Sequence, residues 1–170
     1  KTSTNSITIM WEIDQEYNGY VQWGESPQLG NTTNANIISS QYGNYLLSCQ
    51  VNNLNENTKY YYRVVHDDIN SETYSFYTNH NVDAESQTNI IAMSDMQKDG
   101  SEPNKFNEIV HSGIISYIES NISEDINENI DLILIPGDLV ENGLNYQQWQ
   151  NDFFGQSHPL FSYIPVYPVP

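Results

Sequence analysis

Residues 132–143 read LILIPGDLVENG. Four branched aliphatic residues, Leu132 to Ile135, run through Pro136-Gly137 straight into Asp138, with Glu141 and Asn142 just beyond. A short unbroken apolar run bounded by turn residues reads as a strand buried on both faces, the signature of a parallel sheet. In open parallel sheets, ligands bind outside the carboxyl ends of the strands, which is where Asp138 falls. A second stretch repeats the pattern: TNIIAMSD, residues 88–95, carries an apolar strand onto Ser94-Asp95.

Between these strands, NKFNEIVHSGIISYIES (104–120) sets Phe106, Ile109, Val110, Gly113, Ile114, Tyr117 and Ile118 at helical spacing on one face. Strand, amphipathic helix and strand make a βαβ unit, with parallel strands and a right-handed crossover. YQQWQNDF (146–153) predicts a second helix, and YIPVYPVP (163–170) the start of a third strand. Asp95 and Asp138 therefore converge on one crevice. Two carboxylates held together repel unless a proton or a metal offsets their charge, and a hard or borderline divalent cation suits them. Gly137 allows close backbone approach there, and Pro136 stiffens the entry.

The first half follows a different period. ITIMWEI (7–13) alternates Ile7, Ile9, Trp11 and Ile13 on one face, and GYVQWG, YLLSCQV, TKYYYRVV and ETYSFYTN are further short strands between Gly, Asn, Pro and Asp turns. This is the pattern of an antiparallel sandwich. NHNVDAESQ (79–87) is a polar linker, which gives a sandwich over 1–84 and an α/β portion over 85–170. Cys49 alternates with Leu47 and Val51, so it reads as a small buried hydrophobe; a lone cysteine has no internal disulfide partner. The 13 tyrosines read as core and cross-strand packing.

Composition narrows the partners. With 22 acidic residues against five basic ones, net −17, the chain has almost nothing to meet nucleic-acid phosphates, so no nucleic-acid binding is expected. The charge is compatible with a salt-rich or extracellular setting and with divalent cations. No apolar run approaches the roughly 18 residues of a membrane span. KTSTNSITIM lacks the apolar core of a signal peptide, so any leader would lie upstream. Asn31-Thr32-Thr33 and Asn121-Ile122-Ser123 match glycosylation acceptors in a chain rich in asparagine, where such matches arise by chance.

Several of these stretches are similar to a known family. LNENTKYYYRV, with Leu54, Thr58, Tyr60 and Tyr62 spaced L-x-x-x-T-x-Y-x-Y, resembles the fibronectin type III run into its penultimate strand, and SETYSFYTN resembles its closing strand. VQWGESPQL is similar to a segment of the N-terminal domain of purple acid phosphatases. MSDMQ (93–97) and PGDLVENG (136–143) resemble the first two motifs of the calcineurin-like metallophosphoesterases, D-x-H and G-D-x-x-D. The third motif, G-N-H-[DE], would be expected to start where the chain stops at Pro170.

The resemblance implies an all-β fibronectin III-like sandwich followed by the first part of an α/β metallophosphoesterase domain. It implies a two-metal phosphoesterase acting on a phosphoester, small molecule or nucleotide, with a pair of Zn, Mn or Fe ions. By position, Asp95 would bind the first ion and Asp138 would bridge both; Gln97 stands where D-x-H has its histidine, and Glu141 replaces the last Asp of G-D-x-x-D. Glu141 and Asn142 are expected behind the ligands, and no catalytic residue is assigned. The tyrosine of purple acid phosphatases is missing there, so no coloured Fe(III)-tyrosinate site is expected. None of His66, His80, His111 and His158 occupies a motif position, and all read as surface residues. The implied setting is extracellular, periplasmic or at the cell surface, and the chain alone is expected to be inactive, with another chain or a further C-terminal part completing the sheet. The other reading of the residues is a structural or adhesive surface protein with a degenerate metal site, which the Gln97 departure favours.

Overall fold

The structure is a computed structural model, and it describes residues 3–169 apart from 82, 84, 99 and 129. The chain forms two compact units, Lys1–Ser86 and Gln87–Pro170.

The first unit is built from two antiparallel sheets. One has the order β1 (Ser6–Ile13), β5 (Asn44–Asn52), β4 (Asn36–Gln41). The other runs β3 (Asn31–Asn34), β2 (Gly19–Gly24), β6 (Lys59–His66), β7 (Ile69–Asn70), with β8 (Tyr74–Tyr77) also paired to β6. The alternation of β1 works as the sequence predicts: Ile7, Ile9 and Ile13 are buried, and Trp11 packs against the core. Across from them, Val21, Tyr60, Tyr62 and Phe76 come from the second sheet, so the core lies between the two sheets. Tyr60 anchors the L-x-x-x-T-x-Y-x-Y run. Its ring stacks on Phe76 at 5.7 Å, and its hydroxyl accepts the Asn55 backbone N–H at 2.9 Å, the short upstream tie by which sandwich tyrosines fix a loop. Strands β3, β4 and β7 had no period-two signal, being short, polar or at a sheet edge.

Cys49 lies in this core at 1% exposure, its thiol donating to the Thr33 carbonyl at 3.4 Å. Burial pushes the thiol up to about 11, so it stays protonated at neutral pH. Native protein at pH 8 should therefore leave Cys49 unmodified by a disulfide reagent such as DTNB, and denaturant should release one thiol. Rapid stoichiometric labelling without denaturant would contradict this packing.

The second unit has a three-stranded parallel sheet in the order β9 (Ile90–Ala92), β10 (Leu132–Ile135), β11 (Val166–Pro168). Both pairs are parallel, with Ile91 opposite Ile133 and Ile133 opposite Val166. From β9 to β10 the chain runs through helix α1 (Lys105–Glu108), a π-wound stretch (Ile109–Ile115) and α2 (Ser116–Asn121). From β10 to β11 it runs through α3 (Tyr146–Gln148), a π-wound stretch (Trp149–Phe154), α4 (Gly155–Ser157) and α5 (Leu160–Tyr163). Phe106, Val110 and Ile115 pack with Ile133, Ile135, Phe153 and Leu160 into one core, and Ile118 is also buried.

The helical face differs from the 3.6-residue expectation. Ile109 is 45% exposed and Tyr117 61% exposed, whereas Ile115 is buried. The reason is the winding. A π-turn closes i to i+5, and in this winding Ile115 enters the core with Val110 while Ile114 packs partly against it. The sheet also has an uncovered side. Ile90 and Leu134, on the face opposite Ile91 and Ile133, are 49% and 40% exposed, although parallel sheets are ordinarily covered on both faces.

Candidate metal centre

β9 and β10 end level with each other. Ala92 lies opposite Leu134, so the loops that follow, Met93–Gln97 and Pro136–Leu139, leave the same edge of the sheet. Two backbone bonds tie them: Met93 N–H donates to the Leu134 carbonyl at 3.1 Å, and Gln97 N–H to the Asp138 carbonyl at 3.1 Å.

Each loop repeats the same device. Asp95 and Asp138 both sit in the left-handed region, at φ 58° and 52°. Both are exposed, and each is followed by a buried apolar residue, Met96 or Leu139. The apolar residue pins the loop to the core while the aspartate faces solvent. Left-handed backbone costs a non-glycine residue about 1–2 kcal/mol, is best tolerated by Asp and Asn, and gathers at functional sites. Gly137, at φ 133°, supplies a conformation that L-residues rarely adopt immediately before Asp138.

Gln97 completes the group. Its backbone is held by Asp138, and its side-chain Oε1 is buried with no hydrogen-bond partner. A buried amide oxygen is almost always satisfied, so this one points to something it accepts from or coordinates. The two loops bring the backbones of Asp95, Gln97 and Asp138 to one edge of the sheet; carboxylates and an amide oxygen are donor types that suit a hard cation. Among the described residues, no group of three or more His, Cys, Asp and Glu side chains could hold a metal ion.

Glu141 and Asn142 bond to the following helix rather than to the aspartates. Gln148 spans both: its Nε2 donates to Glu141 Oε2 at 3.5 Å, and its Oε1 accepts the Asn142 N–H at 2.7 Å. Asn142 Oδ1 accepts the Leu144 N–H at 3.1 Å, so its side chain shapes the turn. Of the histidines, His66 ends β6, and His158 follows α4 in a cis peptide bond to Pro159.

A cavity of about 170 Å³ opens beside Asp95 and Gln97, with Met96, Lys98, Phe106 and Asp152 in its wall. Lys98 pairs with Asp152 at 3.8 Å, which joins the first loop to the second helical segment. Lys98 and Lys105 are the sole Lys or Arg residues from 87 to 170, and both line this cavity. Sequence reasoning passed over them, because neither belongs to a motif and only the crossover of the helices brings Asp152 alongside.

Residues 1–78 match the family model described as "Purple acid Phosphatase, N-terminal domain". No curated protein sequence matches the chain. Among solved structures, a purple acid phosphatase from seeds of yellow lupin (Lupinus luteus) is similar over 99% of this chain, with a TM-score of 0.75 and 20% identity, and the chain covers 33% of it. PhoD is similar over 99% of this chain at a TM-score of 0.57 and 11% identity, with 37% of that chain covered. The chain thus spans about a third of the length of these two structures. The first unit carries a match to the purple acid phosphatase N-terminal domain, and the fold of the chain is that of the aligned third of a purple acid phosphatase.

Proposed function

We propose that the chain is the portion of a two-metal phosphoesterase that carries the fibronectin III-like N-terminal sandwich and the first part of the α/β catalytic domain. What supports this reading is that the loops carrying Asp95 and Asp138 leave the same sheet edge, each aspartate in left-handed backbone. Asp95 would hold the first ion, Asp138 would bridge both, and Gln97 would offer its unpartnered Oε1. When bound, such an ion pair stabilises the attacking and leaving oxygens of an in-line displacement at phosphorus.

The chain's own residues do the rest. Lys98 and Lys105 line the cavity, each paired with a carboxylate of the same wall, Lys98 with Asp152 and Lys105 with Glu102. Met96 and Leu139 keep both aspartates on one edge, and the Gln97–Asp138 backbone bond keeps their loops in register. The exposed face at Ile90 and Leu134 suits a sheet that a further part of the protein or another chain covers. The proposed setting is extracellular, periplasmic or at the cell surface; among the described residues no helix is long and apolar enough to cross a membrane.

Ligand counting sets the expected activity of these 170 residues by themselves. Each ion of such a pair takes about four to six ligands, and this edge supplies two carboxylates and one amide oxygen. The isolated chain should hydrolyse p-nitrophenyl phosphate no faster than buffer containing the same metal, whereas the full-length protein should turn it over with Mn or Zn. A full-length protein that binds no metal and cleaves neither mono- nor diesters would leave the structural or adhesive reading in its place.

A further inference from the structure

We propose that Gln148 is a positioning residue, a clamp that holds the loop carrying Asp138 to the helix that follows it. The inference rests on the phosphoesterase reading above and adds to it a residue outside both motifs. The Gln148 side chain bonds twice to that loop. Its Oε1 accepts the Asn142 N–H at 2.7 Å, and its Nε2 donates to Glu141 Oε2 at 3.5 Å. The next residue repeats the contact: Trp149 Nε1 donates to the Gly143 carbonyl at 2.9 Å. Asn145 fixes the helix start from which both reach. Its Oδ1 accepts the Gln147 N–H at 3.1 Å, and its carbonyl accepts the Gln148 N–H at 3.1 Å.

The loop has little else to hold it. Glu141, Asn142, Gly143, Leu144 and Asn145 are all exposed, Leu144 at 86%, and the apolar anchors end with Leu139 and Val140, which pack on the core. A stretch with few buried contacts opens readily unless its hydrogen bonds keep it closed. Asp138 raises the demand, because its φ of 52° lies in a sparsely populated region that persists only where the surroundings over-determine it. On one side, the Gln97 N–H holds the Asp138 carbonyl at 3.1 Å. On the other, the Gln148 bonds to Glu141 and Asn142 fix the path of the loop.

The test compares Gln148→Met and Gln148→Glu with wild type in the full-length protein, by amide hydrogen exchange and steady-state kinetics. Methionine is a good helix former of similar length that makes neither hydrogen bond, so the helix should persist. Glutamate keeps the oxygen that accepts the Asn142 N–H. In Gln148→Met, protection of the Asn142 amide should fall about tenfold, the loss of one hydrogen bond. Its kcat should fall by about tenfold with KM within about twofold, since misplacing a site group costs rate more than binding. Gln148→Glu should recover most of both. Unchanged Asn142 protection in Gln148→Met overturns the clamp, and a Gln148→Glu as impaired as Gln148→Met overturns its assignment to the Asn142 bond. Lost protection with unchanged kcat overturns the positioning role and leaves the phosphoesterase reading in place. A wild-type protein without hydrolytic activity overturns that reading, and the positioning role falls with it.

Discussion

Asp138→Asn should abolish phosphoester hydrolysis by the full-length protein, lowering kcat/KM by at least about 10³-fold, some 4 kcal/mol of transition-state stabilisation. Asp138 is the aspartate proposed to touch both ions, so its loss strips a charged ligand from each. The fold should survive. Asparagine has the same shape and is the other residue that accepts the φ of 52° found here, and the side chain is exposed. Thermal stability should therefore stay within about 0.5 kcal/mol of wild type. Steady-state kinetics beside a melting curve separates the two effects: lost activity with an unchanged melt supports the assignment. A variant that keeps its activity removes Asp138 from the mechanism.

The largest stability effect should come from Ile133→Ala. Ile133 is fully buried in the middle strand, with Ile91 on one neighbour and Val166 on the other, and it packs in the core of the second unit. Truncating such a residue costs about 2–5 kcal/mol, a large share of the roughly 5–15 kcal/mol that holds a domain together. For a unit of this size, each kcal/mol lowers the melting temperature by about 4–8 °C, so a shift on the order of 10–30 °C is expected by calorimetry. The neighbouring Leu134→Ala, on the exposed face at 40%, should shift it far less. Equal shifts for the two variants would show that the strand does not present its faces as described.

The parts of this protein that could be read from sequence are those where burial and period coincide. The run LILI announced β10 and IIAM announced β9, because a strand buried in a parallel sheet has no polar alternation to disguise it. Alternation likewise located β1, β5 and β6, where one face meets the core. Strands β3, β4 and β7 were invisible, since NTTN and IN carry no apolar face and NIISSQ leaves Ile37 and Ile38 exposed. The helix was legible as a helix, but its buried face was not: π-winding moves Ile115 inward and turns Ile109 outward, and no residue type signals an i to i+5 turn.

The site divides in the same way. Asp95 and Asp138 were read from the strand ends, and Gln97 only through the resemblance to the D-x-H motif. The left-handed backbone at both aspartates, the buried oxygen of Gln97 and the Gln97–Asp138 bond are three-dimensional facts. So is the meeting of Lys98 with Asp152, 54 positions apart in sequence, which only the second crossover brings together.

The most direct test of the metal centre is anomalous diffraction from crystals of the full-length protein grown with Mn2+. The expected result is an anomalous peak bonded to carboxylate oxygens of both Asp95 and Asp138, at about 2.0–2.3 Å from each, with the Gln97 side chain turned toward it. A map with no peak at this edge, or one showing the two carboxylates on opposite sides of the sheet, would contradict it.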